Sequence, residues 1–215
     1  MTKPRILSKY ESEALKEIGN IGIGNCATSL SKFVNCFVHT RIIGAGFELI
    51  ENVPKITGSS EFPVFGAFMQ IREALNGYIL ILFPEESAKI LCQNLSDKEE
   101  NRDLKDRVDL FIIEDICHIL GETYTNSLSK FLTLDLSTST AYTTYDLSDS
   151  ILNSILAEMS TSMDFALILD AEFIIKEKKI SGNILALLDP VSLDYLLKRI
   201  NEMANQKTSF TDGKE

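Results

Sequence analysis

The stretch Ser29-Leu30-Ser31-Lys32-Phe33 recurs letter for letter as Ser127-Leu128-Ser129-Lys130-Phe131, 98 residues later. A chain that repeats itself at such a spacing folds as two related halves, and this restricts the architectures open to it. Carried backwards, the same register pairs Leu15 with Ile113, Ile18 with Ile116, Ile21 with Ile119, Gly22 with Leu120 and Leu30 with Leu128, so a buried pattern is kept. It also pairs Glu13 with Phe111, Glu17 with Asp115 and Asn20 with His118. The polar face has drifted where the apolar one has held. A second match supports the first: Gly77 to Pro84 resembles Gly182 to Pro190 with one inserted residue.

Ser8-Lys9-Tyr10-Glu11 has the spacing of a capping box and starts a long helix that the apolar period carries to about Val34. Phe37 to Ile50, Glu61 to Arg72 and Gly77 to Phe83 read as strands, and Pro84 to Asn94 as a short helix. The charged stretch 96–107 reads as a solvated connection. The order then repeats: a long helix from Val108 to Leu132, a Thr-rich strand-like stretch from Leu134 to Tyr145, and a short helix near Ser150 to Met159. A hairpin over Asp164 to Lys176 and Lys179 to Leu188 follows, and then a last helix from Pro190 to about Ala204. Each half offers about three strands and two helices whose apolar face needs a partner layer. The expectation is an α+β fold, internally duplicated and pseudo-twofold, with two long helices packed on a mainly antiparallel β-sheet. Residues 1–204 would form one domain from repeats at about 8–95 and 108–204, and the polar tail 205–215 is expected to fray.

A net charge of −10 and a pI near 4.8 repel phosphate backbones and anionic lipid, so neither nucleic acid nor a membrane surface is expected as a partner. The longest apolar run, Tyr78 to Phe83, falls far short of the roughly 20 residues that a membrane helix needs. The N-terminus lacks the apolar core of a signal peptide, and a cytoplasmic protein is expected. Cys26, Cys36, Cys92 and Cys117 show no Cys-x-x-Cys spacing, and with His39 and His118 as the only histidines no metal site is expected. Cys26 and Cys117 fall inside the repeated helices and read as small core residues.

Along the first helix, steps of about 100° gather Leu15, Ile18, Gly22, Cys26, Leu30 and Phe33 on a core stripe. Glu13, Glu17, Asn20, Gly24 and Ser31 lie about half a turn away. Glu17 and Asn20 thus project a carboxylate and a carboxamide together from a rigid element. Gly19, Gly22 and Gly24 each cost roughly 1 kcal/mol relative to Ala inside a helix. Their presence implies the close approach of another backbone, from a packed element or from a docking partner. The run does not suit a dinucleotide loop, which follows a strand and opens a helix.

The string from Leu15 to Ser31, LKEIGNIGIGNCATSLS, strongly resembles the first signature helix of the CheC family of chemotaxis phosphatases, the group that includes CheC, CheX and FliY. The order of elements and the duplication match over nearly the whole chain, which looks closer to CheC. In that family the signature is Asp or Ser, three residues, Glu, two residues, Asn, and later a Pro. Glu17 and Asn20 match the Glu and Asn, whereas Glu13 stands at the Asp/Ser position and Ile43 where the Pro is expected.

The resemblance implies dephosphorylation of a phospho-aspartyl response regulator of the CheY type, with Glu17 and Asn20 as the catalytic pair. Asn20 would hold the attacking water in line, and Glu17 would pair with a receiver lysine. No cofactor of its own is implied, because the metal ion would belong to the response regulator. The second helix resembles the family's second signature, with Asp115 and His118 in place of Glu and Asn and with Phe111 adding bulk, so its site is expected to be degenerate. The alternative is a non-catalytic adaptor that binds a receiver domain or a CheD-like deamidase. A flagellar-switch component like FliY is a weaker reading, since those proteins carry an additional C-terminal switch domain.

Overall fold

The computed structural model describes residues 8–49, 52, 63–96, 109–158, 165–175 and 178–211. Among the described residues, five helices and seven strands follow one another as α1 (Lys9–Val34), β1 (Val38–Leu49), β2 (Pro63–Glu73), β3 (Gly77–Pro84), α2 (Glu85–Ser96), α3 (Leu110–Leu132), β4 (Leu136–Thr138), β5 (Tyr142–Leu147), α4 (Ser148–Glu158), β6 (Phe165–Ile175), β7 (Lys178–Leu188) and α5 (Pro190–Thr211). The fold is α+β, and the observed strand pairings are antiparallel. The expected connection at 96–107 lies almost wholly outside the described residues. The last helix continues past the expected end at Ala204 to Thr211, because no Gly or Pro interrupts it before Gly213.

The strands form one sheet in the order β1-β6-β7-β3-β2, with β4 and β5 both paired to β2. Exchanging the two halves, β1 for β4/β5, β2 for β6 and β3 for β7, turns this order into its own reverse. The pseudo-dyad passes between β3 and β7, where Ile81 pairs with Ile184. Each outer strand is paired with the opposite half: β1 with β6, and β5 with β2. Both outer strands are irregular at matching places. The register of β1 shifts between Ile42 and Gly44, and β4 gives way to β5 around Ser139, whose N–H donates to the Gln70 carbonyl at 3.0 Å. Ile43, where the family signature expects Pro, is therefore at a bulge on an edge strand, one of the few strand positions that tolerates Pro.

β3 explains the uninterrupted apolar run seen in the sequence. Ile79, Ile81 and Phe83 face the core under α1 and α3, while Leu80 and Leu82 face the second core under α4 with Ile151, Leu152 and Ile155. A strand buried on both faces has no polar alternation to show.

Helices α1 and α3 lie antiparallel, joined by two equivalent hydrogen bonds. Asn25 Nδ2 donates to Ser127 Oγ at 2.9 Å, and Thr123 Oγ1 donates to Ser29 Oγ at 3.0 Å. Asn25 and Thr123 are register mates, as are Ser29 and Ser127, so one contact is made twice across the dyad. The repeated SLSKF motif ends both helices in the same way. Asn35 and Thr133 take left-handed caps with φ of 50° and 54°, and donate to the carbonyls of Ser31 and Ser129. Ser31 Oγ also accepts from Val38 N–H at 3.0 Å, so this residue, expected on the exposed face, is half-buried at the turn into β1.

Helices α5 and α2 are cross-tied as well. Ser192 of α5 accepts from Asn76 N–H at 2.8 Å, and Ser87 of α2 accepts from Ser181 N–H at 3.1 Å.

Candidate functional site

Ser8 and Glu11 close the expected capping box, each side chain bonding the other residue's backbone N–H. Asn201 of α5 donates to Glu11 at 3.0 Å, so the last helix anchors the start of the first. From this fixed end, α1 runs unbroken to Val34 with Leu15, Ile18, Gly22, Cys26 and Leu30 buried. Gly19, Gly22 and Gly24 all lie inside the helix, which removes any phosphate-loop geometry.

Glu13, Glu17, Asn20 and Gly24 are all exposed. Lys9 approaches Glu13 at 3.9 Å, but among the described residues neither Glu17 nor Asn20 has a hydrogen-bonding or ionic partner. A carboxylate and a carboxamide one turn apart, on a helix held at its N-terminus and along its buried side, are thus both free to engage an outside group. Ile21, paired with an apolar residue in the repeat, is 37% exposed and flanks them. Its position about 100° from Asn20 places it beside the polar face rather than in the core.

The corresponding face of α3 is different. Phe111 is 80% exposed, Asp115 is exposed and His118 is half-buried. His118 Nε2 lies 3.5 Å from Glu122 Oε1 on the same helix, and its Nδ1 is buried without a partner. The ring is held against its own helix. Because α1 and α3 are antiparallel, the two faces lie toward opposite ends of the helix pair and act as separate surfaces.

Among the described residues no three His, Cys, Asp or Glu side chains gather as metal ligands, and no helix is long and apolar enough to cross a membrane. Cys26, Cys92 and Cys117 are buried free thiols; burial pushes Cys26 up to about 12 and raises the other two, which keeps them protonated and inert as nucleophiles.

The model of the CheC-like family matches residues 11–38, the segment that runs from Glu11 in the first turn of α1 to the start of β1 and contains Glu17 and Asn20. The CheY-P phosphatase CheC of Bacillus subtilis is 21% identical over 167 residues, covering 76% of this chain and 80% of the relative. The chain is thus similar to the CheC/CheX/FliY family, in its first helix by sequence and in its architecture by fold. Solved structures of that group share the fold. FliY of Thermotoga maritima superposes with a TM-score of 0.72 at 16% identity, over 92% of this chain and 99% of that one. CheX in a CheX-CheY-BeF3-Mg complex from Borrelia burgdorferi gives 0.50 at 12% identity, over 79% and 96%. The fold is also that of a chain in the FliM-SpeE complex of H. pylori, at a TM-score of 0.68 and 12% identity, over 92% and 97%. In this chain an open Glu17/Asn20 face contrasts with a second face where His118 lies 3.5 Å from Glu122.

Proposed function

We propose that this protein is a CheC-like phosphatase that hydrolyses the phospho-aspartate of a CheY-type response regulator in chemotaxis signalling, with Glu17 and Asn20 on α1 as its active pair. The observation that carries the reading is the exposure of both side chains without intramolecular partners, inside the segment that matches the CheC-like family. The curated relative is itself named a CheY-P phosphatase, and a CheX of the same fold is known in complex with CheY.

The chemistry asks little of this chain. An acyl phosphate has a good leaving group, and a metal ion held by the receiver would belong to the substrate. Water attacks phosphorus, the bond between phosphorus and the aspartyl oxygen breaks, and the carboxylate leaves with the electron pair while inorganic phosphate takes up the elements of water. What a docked helix supplies is position. The Asn20 amide accepts a hydrogen bond from the water through its oxygen and holds it in line, which lowers the barrier by orientation and not by basicity. Glu17 pairs with a receiver cation and fixes the docking register. On α3 the shorter Asp115, the paired His118 and the bulk of Phe111 leave no equivalent pair.

The same fold in a FliM chain favours a second reading, an adaptor that binds a receiver or a CheD-like deamidase without turnover. The decay of a phosphorylated CheY-type receiver, followed with catalytic amounts of this protein and of Asn20→Ala, separates the two. A phosphatase accelerates decay and loses that acceleration with Asn20 while still binding; an adaptor binds and accelerates nothing.

A further inference from the structure

Of the glycines in the run, Gly22 has a reason inside the molecule and Gly24 has none. A β-carbon at Gly22 would lie 2.5 Å from two ring carbons of Tyr124, whereas one at Gly24 would meet nothing within 4 Å. Gly24 is exposed and in a helix interior, where glycine is disfavoured against alanine. By helical steps it lies about 20° from Glu17, about 40° from Asn20 and about 60° from Ile21, roughly 6 Å further along the axis than Asn20. The result is a bare stretch of backbone in the middle of the active face, floored by main chain and flanked by Asn20 and Ile21.

The other half shows the same position filled. The register mate of Gly24 is Glu122, and the mate of Asn20 is His118. Glu122 is exposed and reaches back to His118 at 3.5 Å. A side chain therefore covers on α3 the notch that is open on α1, beside the residue that stands where the amide would be.

We infer that Gly24 is a clearance residue for docking: its missing side chain lets the receiver's main chain beside the phospho-aspartate seat against α1, close enough for Asn20 to reach the phosphoryl group. This rests on the reading that a receiver docks on this face. It deepens that reading by assigning to a glycine the depth of seating, and to Glu122 the closure of the second face. The free Glu17 supplies the charge complementarity for a receiver segment that bears a cation.

The test uses the full chain with Gly24→Ala and Gly24→Leu, both good helix formers. Three quantities are read: the melting temperature, the affinity for a receiver charged with Mg2+ and beryllofluoride, and the decay of the phosphorylated receiver. Gly24→Ala is expected to raise the melting temperature by roughly 2–4 °C. Gly24→Leu is expected to fold as well as the parent and to weaken receiver binding by about tenfold or more through a clash with the partner alone. A lower melting temperature for Gly24→Ala would show that the glycine serves the fold, and would overturn the inference. Parent-like binding and turnover by Gly24→Leu would overturn it while leaving the phosphatase reading intact. If the parent binds without accelerating decay, the affinity of Gly24→Leu still decides the matter. If the parent neither binds nor accelerates, the functional reading falls and the inference falls with it.

Discussion

The ring of Tyr124 lies against the bare α-carbon of Gly22, two of its carbons 2.5 Å from where a β-carbon would stand. In the repeat register Gly22 is the mate of Leu120 and Cys26 the mate of Tyr124, so the small residues of α1 face the large ones of α3. Cys26 completes the contact by donating to the Leu120 carbonyl at 3.4 Å. The halves share a fold, yet at their crossing point they are complementary and not interchangeable. Gly22→Ala is expected to overpack this crossing and to destabilise the protein by about 1–3 kcal/mol. A urea titration measures it, and an unchanged midpoint would mean that the ring moves aside freely.

Glu17 is assigned to docking and Asn20 to the chemical step, so their variants should fail differently. Glu17→Ala is expected to raise the apparent KM for the phosphorylated receiver by about tenfold, with a weaker dependence of that KM on salt. Asn20→Ala is expected to lower kcat by about 10²-fold, the scale for losing one positioned hydrogen-bonding group. Equal effects of both variants on kcat alone would contradict the division of labour.

His118→Ala and Asp115→Ala are expected to leave the decay rate of the phosphorylated receiver within about twofold of the parent, within the spread of surface changes remote from the chemistry. A loss comparable to that of Asn20→Ala would make α3 a working surface.

Legibility in the sequence followed the physics of each element. The α1 stripe, the capping box and the hairpin of β6 and β7 depend on local period and composition, and they stand where the sequence puts them. The Thr-rich stretch read as one strand is broken into β4 and β5, because Ser139 must satisfy Gln70 across the sheet, a partner distant in the chain. Ser31 left the exposed face because the chain turns back into β1 there. The apolar pairing of Ile21 with Ile119 suggested burial, but a small protein covers only so much of a helix, and Ile21 lies at the margin. For the site, the sequence sufficed to set Glu17 and Asn20 on one face. The role of Glu122, the register mate of Gly24, was not legible there, because it comes only from the open space at one and the ion-pair geometry at the other.

Burial in the core makes Cys26 a source of alkaline sensitivity. Its thiol is pushed up to about 12, while an unfolded thiol titrates near 8.5. Between these values the folded state holds a proton that the unfolded state releases, so stability falls as pH rises through that window and is fully present below it. Cys117 and Tyr124 are raised in the same direction by burial. The urea midpoint is expected to drop between about pH 8 and about pH 10.5, less steeply in Cys26→Ala. A slope unaltered by that substitution would place the sensitivity elsewhere.

The pairing of β1 with β6 sets a timetable. Val38 follows directly on α1 in the chain, but its partner in the sheet is Ile175. As the polypeptide leaves the ribosome, α1 with Glu17 and Asn20 emerges early, while the strand that follows it waits without a sheet partner until β6 has been made. Non-local pairings of this kind are slow to form and prone to go astray. The first half therefore cannot mature by itself, and a nascent chain stalled before β6 would present α1 on an unfinished sheet.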